Sequence, residues 1–86
     1  MASVMVARSV EEVSRRQIHI VRKFAELCVF IPDTIPEDTV RSTCERIRKE
    51  LHTERIEYQK VGFFWTFTLG IRPEAIPTVR IILQEI

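Results

Sequence analysis

Glycine is scarce in this chain. Gly62 and Gly70 are the only two among 86 residues. A loop that wraps phosphate groups in backbone N–H donors needs clustered glycines, so nucleotide-dependent chemistry finds no support. Cysteine is equally scarce. Cys28 and Cys44 are too few for the disulfide framework that holds many small secreted domains together. The longest apolar run is Leu27–Ile31, far short of the ~20 residues that cross a bilayer. Met1–Val10 lacks the basic start and long apolar middle of a secretion signal. An intracellular protein is the expectation. An excess of one charge is missing too. Thirteen Lys+Arg stand against 12 Asp+Glu, a net charge of +1, so the whole molecule pulls only weakly on nucleic acid or anionic lipid.

What is present is ordinary globular material: 45% hydrophobic and 29% charged residues, enough apolar content to argue against disorder. The length suits a single domain over residues 1–86. Val4–Ala7 is β-prone and could open the fold as a strand. Ser9 and Glu12 have capping-box spacing, and Val10, Val13, Gln17, Val21, Phe24 and Cys28 recur at three- and four-residue steps. This spacing predicts a first helix over about Val10–Val29. Ile18, Ile20 and Ala25 widen its stripe. Pro32–Pro36 must break it. Thr34 and Glu37 repeat the capping-box spacing before a second helix over about Pro36–Thr53, where Val40, Cys44, Ile47 and Leu51 form a narrow stripe. Glu37 and Asp38 sit at its positive end and Arg48, Lys49 and His52 near its negative end, in agreement with the helix dipole. Glu45 and Lys49 have the spacing of an ion pair.

Beyond Thr53 the period changes to two. Ile56 and Tyr58, then Phe63, Trp65, Phe67, Leu69 and Ile71, then Val79, Ile81 and Leu83 alternate with other residues as strands do. The buried parity switches across Val61–Gly62, which calls for a tight turn or a bulge. The turn is favoured because a hairpin helps bury the aromatic row. The expected fold class is α+β: two amphipathic helices packed on one face of a three- to four-stranded antiparallel sheet, in the order (β)-α-α-β-β-β. That order resembles the one found in dynein light chains, homodimers that bind peptides at a sheet edge. The resemblance rests on Ile47–Leu51, Phe63–Gly70 and Val79–Leu83. Each pattern is generic, a strand and a long loop of that family are missing, and no membership is inferred.

No constellation supports catalysis or a cofactor. Cys28 and Cys44 fall on apolar stripes while His19 and His52 fall off them, and no pair has zinc-ligand spacing. A cysteine nucleophile would need an exposed, thiolate-stabilising setting. The expectation is therefore a non-enzymatic interaction module or adaptor without cofactor, a homodimer or a subunit of an assembly. Its expected contacts are Phe64, which points opposite to Phe63 and Trp65, together with Ile82 and Ile86 on the sheet's uncovered face. The alternative is a winged-helix-like nucleic-acid binder using Arg41, Arg48, Lys49 and Arg55 on the second helix. Interleaved glutamates and the absence of a third helix weigh against it.

Overall fold

A computed structural model describes residues 9–23, 25–70 and 72–86. The expected strand Val4–Ala7, and the stripe residues Phe24 and Ile71, lie outside the described residues. The order is β1 (Ser9–Glu12), β2 (His19–Lys23), β3 (Glu26–Pro32), α1 (Glu37–Leu51), β4 (Gln59–Val61), β5 (Phe64–Gly70) and α2 (Ala75–Gln84). The class is α+β, with two helices and a five-stranded sheet among the described residues, in the spatial order β1-β2-β3-β5-β4 and antiparallel at every pairing. The observed order departs from the expected one at both ends of the chain, and the resemblance to dynein light chains in element order falls away with it.

The segment expected to form the first helix is instead three strands. Its β-branched residues fit the pleat as well as they fit a helical stripe. Two turns without glycine or proline divide it. At the first, Ser14 Oγ accepts the Arg16 N–H at 2.9 Å, Gln17 N–H donates to Ser14 O at 3.1 Å, and Gln17 takes φ 64°. At the second, Ala25 takes φ 71°. Positive φ is costly for residues with a Cβ, so neither turn announces itself in the sequence.

α1 matches its expectation closely. Val40, Cys44, Ile47 and Leu51 are buried, and Thr43 is satisfied by donating to Thr39 O at 2.7 Å. Its start differs in detail: Pro36 is the N-cap and no side chain caps it, so Thr34 does not play that part. Glu45 pairs with Arg48 rather than Lys49. At the C-terminal end His52 adopts φ 54°, and the Thr53 N–H reaches back to Arg48 O at 3.1 Å.

The aromatic row is a hairpin. Val61 pairs with Phe64, leaving Gly62–Phe63 as a two-residue loop. Gly62 sits at φ 61° while Phe63 does not share the positive value, the pattern of a II′ turn with glycine first. Ile56 and Tyr58 pack beside the core without belonging to a strand. The expected last strand is a helix. Ala75, Val79, Ile82 and Leu83 are its buried residues, at helical rather than alternate spacing, and Pro77 falls in the first turn, where its missing N–H costs nothing.

Register divides the sheet into two faces. Ile20, Val29 and Phe67 are cross-strand neighbours, as are Leu27 with Leu69 and Ile31 with Trp65. All belong to or pack on a single hydrophobic cluster that also takes in Val40, Cys44, Ile47 and Leu51 of α1 and Val79, Ile82 and Leu83 of α2. Since side chains alternate along a strand, the residues between them face the other way.

Candidate contact surface on the second sheet face

The second face is laid out by the same register. One row runs Val10, Val21, Cys28, Thr68, and the next runs Glu12, His19, Phe30, Thr66, Gln59. Pro32, Phe64 and Val61 close one end, and Lys23, Glu26 and Gly70 the other. Cys28 is buried yet stands outside the main hydrophobic cluster, as its parity requires. Phe30 and Phe64 are half-buried against each other, edge to face, with ring centroids 6.1 Å apart. Such a pair contributes about 0.5–1.5 kcal/mol beyond its burial. Val61 at 54% and Phe63 at 78% exposure lie beside Phe64 on β4 and at the hairpin tip, and Val10 at 51% lies on the far edge strand β1.

The hairpin tip is held in place from the end of β3. Asp33 N–H donates to Phe63 O at 2.9 Å, and Lys60 Nζ lies 3.2 Å from Asp33 Oδ2. Lys60 also stands 5.7 Å over the Trp65 ring. Trp65 Nε1–H donates to Ile35 O at 3.2 Å, and Tyr58 meets Trp65 edge-on at 5.8 Å. The Tyr58 hydroxyl donates to Glu37 Oε2 at 2.8 Å, and this bond to a carboxylate pushes the phenol pKa up. The exposed phenylalanine therefore projects from a braced turn.

Phe64, the first expected contact residue, lies on the second face. Ile82 does not: at 1% exposure it is a core residue of α2. Ile86 follows α2 and is half-buried against the core. A helix in place of the expected strand moves both away from Phe64's face. Phe63, expected in the core with Trp65 and Phe67, occupies the turn instead. Phe30, Val10 and Val21 were hidden from the sequence reading because their segment carries helical spacing as well as strand alternation.

The basic set on and beside α1 is largely matched by acids. Arg41 bonds Asp38 at 2.7 Å and lies 3.6 Å from Glu37. Arg48 bonds Glu45 at 2.6 Å, and Arg55 lies 3.4 Å from Glu57. The hydrogen bonds raise the pKa of Arg41 and Arg48 and lower that of Glu45. Lys49 alone of the four meets no carboxylate within 4.0 Å among the described residues.

A groove of about 510 Å³ separates α1 from the Arg55–Tyr58 segment, with Cys44 among its lining residues. Burial pushes the Cys44 thiol up to about 12, so it stays protonated at neutral pH and is not an activated nucleophile. No helix among the described residues is long and apolar enough to cross a membrane. Comparison with family models, curated proteins and solved structures finds no match for this chain.

Proposed function

We propose that this chain is a single-domain protein-interaction module that self-associates as a homodimer through the second face of its sheet, with both helices packed on the first. The carrying observation is the composition of that face. Its middle is uncharged, with Val21, Cys28, Phe30, Thr66, Thr68 and Phe64 side by side, and its charged residues, Glu12, Lys23 and Glu26, stand at the margins. Thr66, Thr68 and His19 keep that middle mixed rather than wholly apolar, but depletion of charge at the centre with charge at the rim is the usual anatomy of a contact surface.

A second copy suits the face because the margin carries both signs. A two-fold partner can set acids against bases, and a net charge of +1 adds little repulsion between copies. The area sets the size class of the interface. Strands of three to seven residues, at ~3.3 Å per residue and ~4.8 Å spacing, give roughly 400 Å² of planar face per copy. Two such faces, extended by the Phe63 tip, fall in the small and reversible class of interfaces. The module has no catalytic step to perform in this reading. Nucleic-acid binding by α1 is the weaker alternative, because phosphate would have to displace carboxylates already bound to Arg41, Arg48 and Arg55.

Sedimentation equilibrium across roughly 10 μM to 1 mM tests the proposal, a range suited to a weak interface. The expected result is a mass that climbs from one copy toward two, and that stays at one copy for Phe64→Ser and for the surface variant Phe63→Asp. A monomer throughout the range would overturn it.

A further inference from the structure

Most arginines here already have an acid. Arg41, Arg46, Arg48, Arg55, Arg72 and Arg80 each lie within 4.0 Å of a carboxylate. At the β1–β2 turn the situation differs. Arg15 meets no carboxylate within that distance among the described residues, and Arg16 donates to a main-chain oxygen, that of Ile86, at 2.9 Å. Arg15 is therefore without a carboxylate partner among the described residues, and beside it Arg16 commits one donor, Nη1, to Ile86.

The turn that carries them is well defined. Besides the Ser14 bonds described above, Val13 N–H donates to Ile18 O at 2.9 Å and closes the loop. The register that pairs His19 with Phe30 puts the β1–β2 turn and the end of β3 at the same end of the sheet. The turn therefore faces the β3–α1 connection. Between the two lies a concavity of about 370 Å³, lined by Arg15, Arg16, Gln17, Pro32, Thr34 and Ile35. No acidic residue lines it among the described residues. The acids in the neighbouring segments are engaged elsewhere: Asp33 with Lys60, Glu37 with Tyr58 and Arg41, and Glu85 with Arg46. Glu12 sits on the second sheet face, across from His19.

From this we infer a binding site for a phosphate monoester in the concavity between the β1–β2 turn and the β3–α1 connection. The chemistry of the lining selects the class. Two planar guanidinium forks supply more donors than one carboxylate can use, and they match the several oxygens and double charge of a phosphate. The Gln17 carboxamide and Thr34 hydroxyl add neutral donors. Pro32 and the buried Ile35 offer an apolar floor for the esterified carbon. Both arginines are exposed, so water and salt screen them, and the dissociation constant should be on the order of 0.1–1 mM at low ionic strength. One lining residue, Pro32, stands on the second sheet face opposite Phe64, while Arg15, Arg16, Gln17, Thr34 and Ile35 belong to the turn and the β3–α1 connection.

Nuclear magnetic resonance titration of the isotope-labelled full chain tests the inference, at about 20 mM salt, where screening is small. The probes are glycerol phosphate and a blocked O-phosphoserine, with glycerol as control. The two esters distinguish a free metabolite-like ligand from a phosphorylated protein side chain, and tighter binding of either supports the site. Saturable shifts are expected at the amides of Arg15, Arg16, Gln17 and Thr34. Arg15→Met should weaken binding about tenfold, equal to ~1.4 kcal/mol. Arg15→Lys should recover part of that loss, because it restores charge but not the fork. Arg55→Met should leave binding unchanged. Shifts that never saturate, shifts that spread to Arg22, Lys23 and Lys49, equal shifts with glycerol, or unaltered binding in Arg15→Met would each overturn it.

Discussion

Ile81 and Ile82 are the same side chain one position apart, and the fold treats them oppositely: 56% exposed against 1%. Alternation would have buried Ile81 with Val79 and Leu83. Helical geometry buries Ile82 and Leu83 together, because positions three and four apart share a face. Truncating Ile82 to alanine should therefore cost about 2–5 kcal/mol as a core deletion. Ile81→Ala should stay within about 0.5 kcal/mol. Urea unfolding of the two variants checks this, and equal losses would mean that α2 is wrongly placed. The same ambiguity explains which contact residues were legible. Phe64 could be placed by parity within a clear strand, whereas Ile82 was assigned to an outer face only because a short apolar run satisfies two periods at once.

Among the elements, β1 is the one whose attachment depends most on a polar bond. It has four residues, pairs with β2 alone among the described residues, and exposes Val10. Its tie to α2 is bidentate: Arg80 Nε and Nη2 donate to Glu11 Oε2 and Oε1 at 2.5 and 2.9 Å. The bond to Arg80 holds the Glu11 carboxyl below its ordinary value of 4.5. A depressed folded-state value means that the carboxylate stabilises the fold above the ordinary value, and that this contribution disappears as pH falls through the folded value. Both side chains are about a third exposed, at 35% each, so solvent screening keeps the effect to about 0.2–1 kcal/mol. Glu11→Gln should be less stable than the parent by that amount at neutral pH and equal to it in strong acid, measured by urea unfolding at each pH. A gap that persists unchanged in acid would show that the ion pair contributes nothing.

α1 was readable because dipole-matched charges, a clean stripe and flanking prolines agree. The first three strands were not, because Gln17 and Ala25 make their turns in a conformation that favours glycine, and the surrounding valines and isoleucines also fit a helical stripe. The site at the β1–β2 turn was invisible for the same reason. In sequence Arg15 and Arg16 fit the polar side of a helix, and only the fold gathers them around one concavity with Pro32 and Thr34.

For the molecule as a whole, self-association links stability to concentration. A dimer that forms only from folded copies draws the equilibrium toward the folded state as protein is added. The melting temperature should rise by a few degrees between roughly 10 μM and 1 mM, which for a domain of this size corresponds to about 0.5–1 kcal/mol. Phe64→Ser should flatten that dependence, and should lower the dilute melting temperature by the loss of its contact with Phe30. A melting temperature indifferent to concentration in the parent would leave the second sheet face without its proposed occupant.

Local chemistry by itself was enough to specify an α+β chain, to place α1 and its buried stripe, to alternate Trp65, Phe67 and Leu69 inward, and to call for a turn or a bulge at Val61–Gly62. Those features are set by residues within one turn of helix or two steps of strand. Tertiary structure alone decided that Ser9–Pro32 is three strands and that Ala75–Gln84 is a helix. It also decided which aromatics face outward. A short run of apolar residues carries no preference strong enough to choose between the two periods, and only a neighbouring strand or a waiting core makes one of them lower in free energy.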